Sequence, residues 1–315
     1  MPELPEMQAL AERLDDFVSG HTLLSIDLLG FSSLRTYAPR AEDLSGQVLN
    51  GITRRGKYLV WTFGNGIRVV LHLSQAGRVD TERPAKKTRP RGAVARFTFS
   101  DEDDAPDATD ATDAADATDG KDGQDGKNGK AGKVANRAVL VREHGTQRKA
   151  SWWILAPGDE GPLEGLGPEP DTEAFAELIR TSTSGRRLHS DLRDQRVVAG
   201  IGRGWGDDIL HRARLSPFAT LRSLDAAERE RLIAATRSVL EEALILERKR
   251  TGGLSEAKLG GRFAVHGKFG TPCPTPDCDE SLRRVSFESY EMTYCANCQT
   301  GGKVLADRRL SRLLK

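Results

Sequence analysis

The sequence predicts an α+β protein: an N-terminal β-sandwich entered through a helix, then a helical domain, then a metal-holding β-hairpin. Three observations carry this expectation. Short β-like runs fill residues 22–156 at the spacing of a sandwich. The pattern turns helical beyond a Pro/Gly-rich stretch, PGDEGPLEGLGPEPD at 157–171. All four cysteines of the 315-residue chain fall between positions 273 and 298.

Taken in order, residues 5–18 read as an amphipathic helix with Met7, Leu10, Leu14 and Phe17 on one face. Strands are expected at 22–30, 57–63, 67–73, 93–99, 138–142 and 151–156, with Gly-Asn-Gly at 64–66 as a hairpin turn. Residues 101–133 repeat Ala-Thr-Asp, then turn Gly/Lys/Asp-rich, and hold no Val, Leu, Ile, Met or aromatic residue. Such a segment cannot bury enough surface to offset its ordering entropy, so a disordered insert is expected over 101–136. After the linker, Asp171 or Thr172 caps a helix reaching about 182, and further helices are expected around 187–195, 206–214 and 225–248. The implied division is 1–160 for the sandwich, 161–170 for the linker, 171–262 for the helical domain, 263–300 for the cysteine finger and 301–315 for a basic extension.

No run of 18 apolar residues is present, and the N-terminus lacks the basic-then-apolar pattern of a signal peptide. A cytoplasmic monomer with no membrane partner is expected. The formal net charge of +1 conceals an asymmetry. The 101–133 segment carries 11 acidic and 4 basic residues, which leaves 43 basic against 35 acidic residues elsewhere. That surplus suits a polyanionic partner without proving one.

Four stretches carry chemistry. In Cys273-x4-Cys278-x16-Cys295-x2-Cys298, two close pairs flank a hairpin-sized span, the spacing that sets four thiolates tetrahedrally around one structural Zn²⁺. An all-cysteine set leaves no open position for catalysis. In DQRVVAGIGRGWGDDILHRARL, residues 194–215, glycines precede a helix starting near Trp205, and Arg203 lies among them. Backbone N–H groups and the helix dipole there suit an anion, and a phosphate grip and a tightly packed turn both fit. In RRGKYLVW, Lys57 stands between two arginines and an apolar strand. It reads locally as a solvated charge or as a site lysine. In MPELPE, trimming of Met1 would leave Pro2 with a free secondary amine beside the carboxylate of Glu3, a nucleophile with a proton carrier at hand. Prolines that merely open a helix fit this stretch as well.

Together the PELPE start, RRGKYL, LHLSQAG, DQRVVAGIG, VHGKFGTPC and the terminal YCANCQ resemble the formamidopyrimidine-DNA glycosylase / endonuclease VIII family across nearly the whole chain. The resemblance implies an N-terminal β-sandwich with a catalytic helix, a helix–two-turn–helix domain and a zinc β-hairpin, with damaged double-stranded DNA in the cleft between domains. By resemblance Pro2 attacks C1′ of the damaged nucleoside to give a Schiff base, Glu3 is the general acid/base and Glu6 supports the sugar chemistry. Lys57 contacts phosphate beside the lesion. The base must leave the stack to be reached.

Departures accompany the resemblance. Arg203, after Gly202, stands where the family has a phosphate-binding asparagine, and Tyr290 where its finger has a phosphate-gripping arginine. Gln75 occupies the position of the wedge that fills the gap left by the everted base. In GTQRKAS at 145–151, Arg148 aligns with a phosphate-contacting arginine and Lys149 with a missing phenylalanine. The segment 252–263 is shorter than the family's base-capping loop. In the 301–315 extension, Leu305, Leu310, Leu313 and Leu314 could dock as a helix. The expected activity is a DNA glycosylase with abasic-site lyase action. An abasic-site lyase with weak glycosylase activity and a non-catalytic zinc-containing DNA-binding protein are the alternatives. Retention of both Pro2 and Glu3 argues against the last.

Overall fold

The computed structural model describes residues 1–101, 136–144, 149–250, 261–287 and 290–307. Most of the expected disordered insert, Arg148, most of the 252–263 segment and the outer half of the C-terminal extension lie outside the described residues. Among those described, no helix is long and apolar enough to cross a membrane.

Helix α1 (Leu4–Val18) is followed by strands β1 (Leu23–Leu28), β2 (Leu49–Arg55), β3 (Tyr58–Phe63), β4 (Arg68–His72), β5 (Gly77–Glu82), β6 (Ala93–Ser100), β7 (Asn136–Glu143) and β8 (Ser151–Leu155). They form two antiparallel four-stranded sheets, ordered β1-β6-β7-β5 and β2-β3-β4-β8. Trp61, Phe63, Phe97, Phe99 and Trp152 fill the space between them, with Trp61 and Phe97 ring centres 4.8 Å apart. Alternation along each strand turns these large side chains to one face, so the two inner faces close on a dry core.

Sequence inspection had not isolated β2 and β5. LNGITRR and GRVDTE carry glycine and charge where a strand signal would need apolar or β-branched residues. Tertiary contacts supply what propensity lacks. The Ile52 N–H of β2 donates to Asp15 of α1 at 2.7 Å, and β5 pairs along its length with β7.

The helical half contains α2 (Glu173–Thr181), α3 (Leu188–Arg193), α4 (Arg203–Arg212) and α5 (Ala226–Lys249). Thr172 caps α2 and Asp225 caps α5, each accepting a backbone N–H of its first turn. The finger is a hairpin of β9 (Arg283–Phe287) and β10 (Tyr290–Tyr294), closed by the short α6 (Ala296–Thr300).

Helix α1 joins the halves. Met7, Leu10 and Leu14 belong to the sandwich core, whereas Leu4 belongs to the helical core with Ile201, Trp205 and Ile209. Its first turn therefore lies on the seam. The linker secures the same seam. Glu169 pairs with Arg54 at 2.7 Å and Arg55 at 2.8 Å, and accepts the Gly56 N–H at 2.6 Å. The two arginines before Lys57 are thus consumed in joining domains, and the turn that presents Lys57 is fixed from the linker side.

Candidate active site

The glycine-rich turn before α4 does hold an anion, and that anion belongs to the protein. Glu3 Oε2 accepts the N–H of Gly202 at 2.6 Å and of Trp205 at 3.4 Å, and Oε1 that of Gly204 at 3.1 Å. The unpaired donors and dipole of a helix N-terminus favour this charge. Gly202 is required for closeness: a Cβ there would lie 2.3 Å from Glu3 Oε1 and 2.7 Å from Lys57 Nζ. Gly200 sits at φ +91, a left-handed conformation suited to glycine, and its carbonyl accepts the Leu4 N–H at 2.9 Å. Gly204 leaves room for Phe263, whose ring a Cβ would meet at 2.2 Å.

Glu6 lies one turn along α1 and is 2 % exposed. It accepts the Glu3 N–H at 2.9 Å and the Trp205 indole N–H at 3.3 Å. Burial, reinforced by the nearby Glu3 charge, pushes its carboxyl up to about 7. Arg262 lies 3.9 Å from it yet does little to reverse that shift. Its guanidinium is engaged by Glu247 at 2.7 Å, so the pair offers Glu6 little net charge.

Lys57 is 4 % exposed beside these carboxylates. Burial pushes its ammonium below the ordinary lysine range, opposed by Glu3 and Glu6 and assisted by Arg193. The N-terminal amine of Met1 is likewise lowered by burial, against the opposing pull of Glu3 and with a smaller push from Arg78. Met1, Lys57, Gln75, Arg193, Arg203 and Tyr290 line one cleft of about 490 Å³, with Gly202 at its floor. Pro2 is buried directly behind Met1. Gln75 is exposed in the β4–β5 loop. Lys149 is also exposed, and its backbone N–H donates to Glu143 at 2.6 Å. Arg203 is exposed, and among the described residues no carboxylate pairs with it. Asp207 and Asp208, in the first turns of the same helix, bond elsewhere.

Those two aspartates build the next layer. Asp208 accepts the N–H groups of Ala264, Val265 and His266. Asp207 accepts from His266 at 2.6 Å and from the Thr293 N–H at 3.0 Å. Burial lowers the His266 imidazolium, but the Asp207 hydrogen bond and charge more than offset this and raise it overall. Helix α4 thus holds the finger as firmly as it holds Glu3.

At the finger itself the four Sγ atoms lie within 4.8 Å of one another. Cys273–Cys298, Cys278–Cys295 and Cys278–Cys298 are 3.8, 3.7 and 3.6 Å apart. Tetrahedral thiolates at about 2.3 Å from a metal ion would be about 3.8 Å apart, so the set fits one ion. His211 at the end of α4 contacts Cys273 Sγ at 3.3 Å, and Gln299 braces the knuckle to the Leu215 carbonyl at 2.8 Å. Neither residue was found by sequence inspection, nor were Glu169, Arg193, Glu247 and Arg262. His211 and Gln299 lie inside quoted stretches, 194–215 and YCANCQ, but nothing in those patterns marks their roles, and each of the six is defined by a partner elsewhere in the chain.

Comparison with known proteins agrees with this architecture. Residues 1–112 match the family profile of the formamidopyrimidine-DNA glycosylase N-terminal domain, and residues 166–253 that of the formamidopyrimidine-DNA glycosylase H2TH domain. Formamidopyrimidine-DNA glycosylase of Azorhizobium caulinodans is 30% identical, over 95% of this chain and 100% of its own. That of Thermus thermophilus is 31% identical, over 96% and 100%. An uncharacterized formamidopyrimidine-DNA glycosylase-like protein of Mycobacterium tuberculosis is 43% identical over 48% of this chain and 94% of its own. Among solved structures, a Lactococcus lactis Fpg bound to abasic-site DNA superposes with a TM-score of 0.73 at 21% identity, over 95% of this chain and 99% of that one.

Proposed function

Because the chain belongs to the formamidopyrimidine-DNA glycosylase family of DNA repair enzymes, we propose that it excises damaged bases through a Schiff base on Pro2 and then cleaves the strand by elimination. Removal of Met1 makes Pro2, buried behind it, a secondary amine at the floor of the cleft. The amine attacks C1′ as the base departs, and the resulting iminium makes the C2′ proton acidic enough for the 3′ phosphate to leave by β-elimination. Glu3, held in place by three backbone donors, exchanges protons with the opening sugar. Glu6 orients the peptide group between Pro2 and Glu3, and its carboxyl, near 7, gives the site a second proton carrier at neutral pH. Lys57 keeps cationic charge beside the amine and lies where the phosphate flanking the lesion would enter. Burial favours an unprotonated amine, the form that attacks, and outweighs the opposing pull of Glu3. Damaged double-stranded DNA is the partner, and the four cysteines hold one Zn²⁺ that supports the finger without entering the chemistry.

The observation that carries this proposal is that Met1 and Lys57 line one cleft with Gly202, whose N–H donates to the buried Glu3 carboxylate directly behind it. The test is borohydride trapping on duplexes that carry different damaged bases or a plain abasic site. Adducts on both classes support a glycosylase with lyase action. Adducts on the abasic duplex alone make the chain a lyase, and none on any duplex overturns the proposal.

A further inference from the structure

Position 290 holds a tyrosine where a cation is expected, and its surroundings point to a replacement. The Tyr290 ring is 3 % exposed and its hydroxyl is hydrogen-bonded with Ser190 Oγ at 2.9 Å. The His189 ring stacks on it at 5.4 Å, and the Arg193 guanidinium lies over its face, 3.5 Å from the ring centre. His189, Ser190 and Arg193 all belong to α3. The finger thus offers an aromatic platform, and α3 lays a cation on it. Resting on the DNA-binding role proposed above, we propose that Arg193, held flat on Tyr290, grips a backbone phosphate of the bound strand, so that the cation missing from the finger is supplied by α3.

Stacking uses the face of a guanidinium. Its five N–H donors lie in the plane, where they can meet two phosphate oxygens at once. The ring also limits the rotamers of a long side chain, so less entropy is lost when the anion binds. Position supports the same role. Arg193 lines the cleft shared by Met1, Lys57 and Arg203, and its charge reaches Lys57 strongly enough to press that ammonium downward. Two cations facing one cleft repel each other, and a phosphodiester between them relieves the repulsion.

The test measures binding of full-length protein to a duplex with a tetrahydrofuran abasic analogue across a salt series. Arg193→Ala should bind about tenfold more weakly at 0.1 M salt, and its slope of log affinity against log salt should flatten by about one. Arg193→Lys should keep the slope while losing part of the affinity. Tyr290→Leu should weaken binding several-fold through loss of the platform, and the double variant should be no weaker than Arg193→Ala. If Arg193→Ala melts early, Arg193→Gln, which keeps the packing stem, gives the same reading. Wild-type slope and affinity in the charge-removed variant overturn this inference alone, provided the wild-type chain still traps abasic DNA. A wild-type chain that neither traps nor binds the duplexes overturns both proposals.

Discussion

The floor and the rim of the cleft are built on different principles. At the floor, Glu3 and Glu6 are placed by backbone donors, by an indole and by glycines that permit contacts no side chain would allow. At the rim, charge is delivered by long side chains: exposed Arg203, and Arg193 lying on Tyr290. A floor of this kind has one solution, because moving a backbone donor by an ångström moves the reacting group with it. A rim has many, because a phosphate is gripped by any cation that arrives at the right depth. On the proposed reading, the floor keeps the residues that carry the family resemblance, while the rim has arginine at 203 and tyrosine at 290 where that resemblance implies asparagine and arginine.

If that contrast holds, changes at the floor should abolish chemistry and changes at the rim should scale binding. The largest effect is expected from the amine. A chain that retains Met1 behind an N-terminal tag should lose borohydride trapping by about a thousandfold, measured as the initial rate on abasic DNA. Next comes Gly202→Ala. The atoms its methyl would meet are the ends of the flexible Glu3 and Lys57 side chains, which can move aside. Trapping should fall about a hundredfold while the melting temperature moves by only a few degrees. A variant that melts normally and traps at the wild-type rate would show that the closeness of Glu3 and Lys57 is not needed.

Metal removal should act on both regions at once, since α4 carries Glu3 at one end and the finger at the other. Chelation, or Cys295→Ser, should weaken duplex binding more than about tenfold and release the ion in elemental analysis. At the rim, Arg203→Ala should weaken binding to abasic and undamaged duplexes alike by several-fold and flatten the salt slope by about one. An altered ranking of lesions with an unchanged slope would make Arg203 a base-reading residue.

A last effect, read in stability rather than in binding or trapping, concerns Glu6 and separates its electrostatics from its hydrogen bonds. Its carboxyl titrates near 7 in the fold against an ordinary value of 4.5. The folded state therefore holds the proton more tightly, and the associated stability is full below 4.5 and lost as pH rises through 7. Glu6→Gln lacks that loss, so its stability relative to wild type should rise by about 3 kcal/mol between pH 4.5 and pH 8. Denaturant melts of both proteins at the two pH values check this. The His266–Asp207 pair has the same sign and is common to both proteins, so it cancels in the difference.

Legibility in the sequence follows the same division. The β-rich and α-rich halves, the cysteine hairpin and the pair Pro2 and Glu3 stood out because each sits in a short pattern with a local physical cause, whereas Glu6 and Lys57 were singled out through the family resemblance. The glycines before α4 were legible as a helix-start anion site, but their guest was not. A phosphate and a carboxylate 199 residues away satisfy the same donors. Strands β2 and β5 were hidden because their partners, not their composition, make them strands. Glu169 was hidden in what read as a linker, although it fixes the turn before Lys57. Arg193 and Tyr290 have meaning only as a pair, and nothing in DLRDQ or ESYEM announces the other.

The central claim is that the α-amine of Pro2 is the nucleophile on a floor organised by Glu3. Its most direct test is to trap the protein on abasic DNA with borohydride, digest the complex and sequence the modified peptide by mass spectrometry. The account predicts one adduct, on the nitrogen of a peptide that begins at Pro2. An adduct on Lys57, or on the amine of a chain that still carries Met1, would contradict it.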